Sequence, residues 1–572
     1  MELDAANGNN NWRKAEETEL AQIDEYATFE DIGKHGQVPK GFKKIRVHMV
    51  YDMKHDGRYK ARLVAGGHLT ETPVDSVYSS VMSLRGLRIT AFLAELNQLE
   101  LWGTDIGNAY LEAYTEELLF IVAGPEFGDR EGHILIIRCA LYGLRSSRLR
   151  WWETFSEVLI DMGFFPSKAE DDLWMRDKGD HYEYIARYVD DLAIASKDPG
   201  AITDDLIKKY NFKLKGTGQL EYHLGCNFFR DSTGTLCMAP KKYIDRIVET
   251  YTRLFGSKPK QTISSPLERG DHPELDDSEE LGVEDTKVYQ SLIGALQWAV
   301  SLGRFDIATA VMTMSKFRAA PRKGHLERVK RVVCYLCKMK HATIRFRIEI
   351  PDYSAIPDPG YEWETTVYGN VKEFIDEGSP RVLGKPVVHT CYVDANLLHD
   401  LTMGRLVTAV LHLLNQTPMD WYTKKQPTVE TATYGSEFMA ARTATEQIMD
   451  LRATLRYLGV EVLGPTYMFG DNESVVGSSS VPHARLHKRH VLLSFHRVRE
   501  AIAAKIVKFM HIPGVCNPAD ILSKAWGYSQ VWDVLKPILF WEGDTMELAV
   551  FEDQVFDDNV TMDLPKFQSH GE

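Results

Sequence analysis

Two aspartates stand side by side at positions 190 and 191, between the apolar, β-rich runs YEYIARY and LAIAS. Like charges held next to each other repel, and a buried pair must protonate or acquire a counter-charge. A divalent cation resolves the conflict, because Mg²⁺ takes hard carboxylate oxygens while it holds substrate phosphates. A third carboxylate on a neighbouring strand end would complete a two-metal site. Asp105, which follows the run LELWGT, is the natural candidate. The plainer alternative is an exposed hairpin tip, where aspartate is simply a turn former.

A second set of acids repeats this logic at different spacing. HTCYVDAN (389–396) reads as a short apolar strand ending in Asp394. Residues 432–459 read as a long helix whose inward stripe is Ala441, Ala444, Ile448, Leu451, Leu455 and Leu458. Glu437 lies four residues before Ala441 on the same face, and a carboxylate opening a core-facing stripe needs a partner. PTYMFGDNES ends another strand in Asp471, and HIPGVCNPADILSK places Asp520 at a helix start. Taken singly, each acid has a bland reading: an N-cap for Asp520, a turn residue for Asp471, a partly exposed helix acid for Glu437. His511 reads as a structural histidine.

Composition bounds the rest. With 572 residues, 44% hydrophobic and 26% charged, the chain has apolar material for three to five globular domains. It is neither disordered nor collagen-like. The net charge of −14 gives no global nucleic-acid signature, although a local basic groove can hide inside it. The cysteines lack the spacing of a secreted disulfide framework, and Cys334 and Cys337 read as core packing on a helix. The polar, acidic N-terminus is not a signal peptide, and no apolar run approaches 18 residues, so a soluble, intracellular protein without a membrane partner is expected.

YVDD, preceded by TDIGNAY and followed by LAIA, resembles the palm active site of reverse transcriptases. There the first aspartate stands in a D-x-x-x-A-[YF] block and the others in Y-x-D-D, here Asp105…Ala109-Tyr110 and Tyr188-Val189-Asp190-Asp191. KARLVAGG (60–67), LYGLRSS (141–147), YQSLIGALQW (289–298), GRFDIATAV (303–311) and KKQPTVETATYGSEFMAAR (424–442) are similar, in order, to blocks of the copia-type retrotransposon polyprotein. The resemblance covers about residues 12 to 530. It implies an α+β and α/β multidomain chain: a right-hand polymerase of fingers, palm and thumb, then a connecting region and a ribonuclease H-like α/β domain. The divisions expected are an N-terminal arm (1–26), fingers and palm (27–258), thumb and connection (259–385), a ribonuclease H-like domain (386–530) and an acidic tail (531–572).

The resemblance also implies roles. Asp105 and Asp190 would hold Mg²⁺ (two ions per site, with Mn²⁺ as a substitute), and Asp191 would support them. Tyr110 would be the gate against a ribose 2′-OH. Lys60 and Arg62 would grip the incoming triphosphate, and Gly143 and Arg145 would help seat the nucleotide. Asp394, Glu437, Asp471 and Asp520 match the D-E-D-D metal set of ribonuclease H. The segment LYGLRSSRLRWWE departs from the family's LYGLKQAPRxW at Ser146, Arg148 and Leu149, which weighs on nucleotide positioning. The basic runs around Arg328 and Arg331, and around Arg485, Lys488, Arg489 and Arg497, read as phosphate contacts independent of sequence. The function expected is RNA-directed DNA polymerisation with cleavage of RNA in RNA–DNA hybrids. The alternative is an inactive or host-repurposed relic that binds nucleic acid. The partners expected are RNA template, DNA primer, hybrid and deoxynucleoside triphosphates, with the element's own gag and integrase products, in a cytoplasmic virus-like particle or the nucleus.

Overall fold

The computed structural model describes residues 4, 7–53, 57–67, 79–357, 360–396, 406–426, 433–486, 489–525, 534–535 and 538–541. Among the described elements helix α1 (Asn11–Glu25) comes first; after the short strands Phe29–Asp31 and Lys43–Lys44, β1 (Val47–Met53) and β2 (Tyr59–Ala65) pair antiparallel as a two-stranded sheet. The Asp56-Gly57 pair between them reads from sequence as a hairpin turn, and Asp56 lies outside the described residues. Burial alternates along β2: Ala61, Leu63 and Ala65 are buried while Lys60, Arg62 and Val64 are not, the period of two that a strand imposes. Leu63 and Ala65 share a core with Ile23 of α1.

Helix α2 (Leu84–Leu96) is N-capped by Ser83, whose hydroxyl accepts the Gly86 amide at 2.9 Å. Behind it lies an antiparallel sheet built from β3 (Glu100–Ile106), β4 (Leu173–Asp177), β5 (Tyr182–Tyr188), β6 (Asp191–Ser196) and β7 (Leu214–Gln219). The order is β7-β3-β6-β5-β4, with Phe165–Pro166 outermost. Ile185, Leu192 and Ile194 pack on Trp151, Phe155 and Leu159 of α3 (Ser147–Asp161) and on Ile202 and Leu206 of α4 (Pro199–Lys208). Their neighbours Tyr184, Ala186, Ala193 and Ala195 face the opposite way, into the core that holds α2. With both faces buried, the central strands read as continuous apolar runs.

The next sheet contains β8 (Cys226–Arg230), β9 (Leu236–Ala239) and β10 (Ala342–Arg345), surrounded by α5 (Lys241–Phe255), α6 (Val283–Ser301), α7 (Ala308–Met314) and α8 (Lys323–Lys338). Its first strand begins at Tyr222, so this unit starts ahead of the expected division at 258. The third large sheet runs β13-β12-β11-β14-β15 through β11 (His389–Asn396), β12 (Val407–Leu414), β13 (Thr417–Lys425), β14 (Thr466–Gly470) and β15 (Val507–His511). The first three strands are antiparallel, and β14 and β15 run parallel to β11, the mixed ribonuclease H-like order. One face is covered by α9 (Thr433–Tyr457) and α11 (Leu492–Ala503), through Phe438, Ala441, Ala444, Ile448, Phe495 and Val498. α10 (Glu473–Ser480) and the single turn α12 (Asp520–Ser523) complete the unit.

The tail expected from 531 is corrected at its start. Leu535, Ile538 and Leu539 are buried in the main core, and β16 (Phe540–Trp541) pairs with β10. These apolar residues precede the acidic run, which lies outside the described residues. Among the described residues no helix is long and apolar enough to cross a membrane.

Candidate active sites

The first site forms at the tip of the β5–β6 hairpin. Tyr188 and Asp191 are register partners, leaving Val189-Asp190 as a two-residue loop. Val189 has φ +61° while Asp190 does not share the positive φ, the pattern of a type II′ turn. A β-branched residue is strained there, by about 1–3 kcal/mol. The tip is pinned from both sides: the Trp151 indole donates to the Val189 carbonyl at 2.7 Å, and the Ile106 amide donates to the Asp190 carbonyl at 2.9 Å.

This register sets the acids. Asp191 lies directly opposite Asp105, and Asp105 opposite Lys215 on β7. Tyr188, Asp191, Asp105 and Lys215 therefore form one row across the sheet, since directly opposed residues share a face. Burial, then Asp190, then Asp105 push the Asp191 carboxyl up to about 7. Burial and Asp105 also raise Asp190, against the opposing pull of Arg62 and Lys60. The three carboxyls are thus one electrostatic unit with hard oxygen donors suited to Mg²⁺. Their oxygens do not all come within 4.8 Å of one another, a spacing reached among the described residues only in the second site. The reason is local: Asp190 sits in the turn while Asp191 and Asp105 lie on strands.

Lys60 and Arg62 on β2 line a cavity of about 500 Å³ with Tyr142, Asn108 and Lys215. The Arg62 guanidinium lies over the Tyr142 ring, 4.9 Å from its centroid, and Tyr142 meets the Tyr110 ring at 5.0 Å. Tyr110 is half-buried in the short turn Ala109–Glu112, its phenol pushed up by burial and by Asp190. Gly143 is required by geometry. Its φ is +93°, and a Cβ there would meet the Ala65 carbonyl at 2.2 Å. The close approach lets the Ala65 amide donate to the Tyr142 carbonyl at 2.6 Å and Arg145 donate to the Gly67 carbonyl at 3.1 Å. Of the departures in this segment, Ser146 is buried and donates to Glu117, and Arg148 reaches the Ser80 carbonyl at 3.3 Å. Nothing in the structure explains Leu149.

The second site gathers Asp394 at the end of β11, Glu437 in the first turns of α9 and Asp471 just after β14; one carboxylate oxygen from each lies within 4.8 Å of the others. Asp394 and Glu437 are buried. Burial and the two neighbouring aspartates push Glu437 well above the usual carboxylate range. Burial and Asp394 raise Asp471. Asp520 stands beside the trio rather than within it. It forms an ion pair with Lys524 at 2.7 Å, and burial together with Asp394 pushes it up to about 7. Ser523 donates to Asp394, and Asn517 donates to the Val393 carbonyl at 3.0 Å, so α12 is stitched to the end of β11. Lys524 and Ser523 were not singled out from sequence, because nothing in the sequence says that the chain after Asp520 turns back over Asp394. His511 bonds the Asp471 carbonyl at 3.2 Å and so supports the strand end.

The basic runs separate. Arg328 is corrected from a phosphate contact to an internal tie: its guanidinium pairs with Asp271 at 2.8 Å and Asp276 at 2.5 Å. Arg331 likewise bonds the Ser265 carbonyl at 3.2 Å and pairs with Glu268 at 2.9 Å. Both hold the irregular segment 262–280 against α8, a role set by the acids of that segment. Arg485 and Arg489 are exposed. Arg497 pairs with Glu500 at 3.1 Å, and Lys488 lies outside the described residues.

Residues 33–265 match the family model described as reverse transcriptase (RNA-dependent DNA polymerase). The chain is similar to the retrovirus-related Pol polyprotein from transposon TNT 1-94 of Nicotiana tabacum, at 26% identity over 537 residues, 90% of this chain and 37% of that protein. It is also similar to the Pol polyprotein from transposon RE1 of Arabidopsis thaliana, at 24% identity over 472 residues, 82% of this chain and 29% of that protein. The chain thus spans about a third of the length of these relatives. Among solved structures, a foamy viral protease-reverse transcriptase in complex with double-stranded DNA aligns with TM-score 0.48 and 12% identity, covering 88% of this chain and 70% of that one.

Proposed function

Because the chain belongs to the copia-type retrotransposon polyproteins and carries their reverse transcriptase domain, we propose that it copies RNA into DNA at the first site and cleaves the RNA of the resulting hybrid at the second. The observation that carries this reading is the hairpin register. It sets Asp105 directly opposite Asp191, with Asp190 tied to the same strand end, beside a cavity lined by Lys60, Arg62 and Lys215.

Asp105, Asp190 and Asp191 would hold Mg²⁺, which when bound neutralises phosphate charge and favours the alkoxide of a primer 3′-OH. Lys60 and Arg62 bind the triphosphate and stabilise charge on the transferring group. The Tyr110 ring, backed by Tyr142, closes the space beside the sugar and disfavours a 2′-OH. Gly143 and Arg145 fix the loop that supports the nucleotide. The primer oxygen attacks the α-phosphorus, a new P–O bond forms, and pyrophosphate leaves. In the second site Asp394, Glu437 and Asp471 would hold metal, with Asp520 beside them; a water attacks the RNA phosphorus, the bond to the 3′ oxygen breaks, and that oxygen leaves with a proton as a 3′-OH opposite a new 5′-phosphate. Template, primer and hybrid are gripped through backbone phosphates, with the exposed Arg485 and Arg489 beside the nuclease. Gag and integrase products of the same element are the partners this implies, in a virus-like particle or the nucleus.

Primer extension on an RNA template with Mg²⁺ tests the polymerase. Incorporation should follow the template, and Asp190→Asn should reduce it by at least about 100-fold without reducing hybrid cleavage. Asp394→Asn should do the reverse. Nucleic-acid binding by the wild-type chain without incorporation would mark a relic, and untemplated addition a different nucleotidyltransferase.

A further inference from the structure

Helix α1 lies outside the matched residues 33–265, yet it is built into the wall of the nucleotide cavity. Among the described residues strand β2 pairs only with β1, so its other edge presents amides that need partners. Two are met. The Ala65 amide goes to the Tyr142 carbonyl at 2.6 Å, and the Leu63 amide goes to the Glu19 carboxylate at 3.1 Å. Glu19 is buried on α1, and a buried carboxylate persists only where donors or cations hold it. Lys60 and Arg62 lie near enough to lower its proton affinity against the effect of burial.

The same helix grips the hairpin at a second point. The Trp12 ring stands edge-on to Tyr59 at 4.6 Å and to Tyr51 at 5.3 Å, and the Tyr51 hydroxyl bonds Glu16. Lys60 and Arg62 flank Ala61 and precede Leu63, and their side chains leave the opposite face of β2. Their position in the cavity therefore depends on how β2 is held at Leu63.

We propose that Glu19 is a positioning residue for the incoming nucleotide: by accepting the Leu63 amide it fixes the finger strand on α1 and so sets Lys60 and Arg62 at the triphosphate. This rests on the polymerase reading above. Glu19 itself touches no reacting atom. Its carboxylate also supplies a negative charge among Lys14, Lys60, Arg62 and Lys215, but the tether needs only an acceptor oxygen. The isosteric amide should therefore serve almost as well as the acid.

The test compares the full chain with Glu19→Ala and Glu19→Gln in steady-state incorporation of a single deoxynucleoside triphosphate on an RNA–DNA template-primer. Glu19→Ala should raise KM for the nucleotide about tenfold, the cost of one buried charge-assisted hydrogen bond, with kcat within about twofold. Glu19→Gln should stay near wild type in both. A fall in kcat at unchanged KM, or a glutamine variant as impaired as the alanine, overturns the proposal. Hydrogen exchange across residues 57–67 reads the tether without catalysis. The Leu63 amide should exchange faster in Glu19→Ala than in wild type or Glu19→Gln, and equal exchange in all three refutes the tether. If the wild type incorporates nothing, the polymerase reading fails while the exchange result still decides whether Glu19 holds the strand.

Discussion

Lys524 places an ammonium group against a cluster of four carboxyls, at 2.7 Å from Asp520. Burial opposes its charge, while Asp394, Asp520 and Asp471 all favour it. A cation in that position offsets carboxylate repulsion when no metal is bound, and competes with metal when one arrives. Lys524→Met should therefore lower the melting temperature of the metal-free protein and tighten Mn²⁺ binding by roughly tenfold, read by calorimetry; saturating Mg²⁺ should restore most of the lost stability. If the lysine only packs, Mg²⁺ restores nothing. Individual acids were legible in the sequence because carboxylates at strand ends are conspicuous. Lys524, Lys215 and Glu19 were not, because each meets its site through a contact across distant parts of the chain, and an isolated lysine or glutamate reads as ordinary surface.

At the scale of an element, strands β11, β12 and β14 bury a one-directional chain of hydrogen bonds. Arg452 donates to Thr466 at 3.3 Å, Thr466 meets His389 Nδ1 at 3.0 Å, His389 Nε2 meets His412 Nδ1 at 3.1 Å, and His412 Nε2 meets Gln447 Oε1 at 3.1 Å. With Gln447 accepting at the end, each imidazole carries one proton, and a further proton would set two donors face to face. Burial accordingly lowers both histidines below the usual 6.5, with Arg452 adding to His389 and Asp420 opposing at His412. The unfolded chain binds protons below about 6.5 that the folded chain refuses, so stability should fall as pH drops through that range. Thermal unfolding between pH 7.5 and 5.5 should show the decline, and the double variant His389→Gln, His412→Gln should flatten it. The strands themselves were legible: VHTCYVDAN and YEYIARY carry strong apolar runs. Their histidines gave no such signal, since partnering across three strands is a property of register, which local sequence specifies weakly. The same holds for Arg328 and Arg331, whose basic run suggested a surface until the acids of 268–276 folded onto it.

Across the whole molecule, α2 packs both on the sheet of β3, β5 and β6 and on strand β13 of the third sheet. Arg88 is buried there, donating to the Met419 carbonyl at 2.8 Å and the Ser301 carbonyl at 3.0 Å, with its guanidinium 4.2 Å from the Trp421 ring centroid. One side chain thus joins α2, the end of α6 and strand β13. Tyr184 adds a hydrogen bond to the Leu458 carbonyl at 2.9 Å. Arg88→Ala should cost about 3 kcal/mol, two hydrogen bonds from a charged donor, and should split a single denaturant transition into separate steps for the units that carry the first and the second site. The order of units was legible from the ordered motifs. Their docking was not, because Arg88 meets Met419 and Ser301 across more than 200 residues of sequence.

Strands β10 and β16 are neighbours in one sheet, although residues 346 to 539 separate them in sequence. The unit carrying the second acidic site is therefore an excursion from that sheet, fastened at both its entry and its exit. A module held by one linker can swing aside; one anchored at two adjacent points behaves as a closed loop and must move with its base. A single cut within residues 346–539 would then leave both fragments joined through β10 and β16, and the spacing between the two acidic sites is built into the weave of the chain.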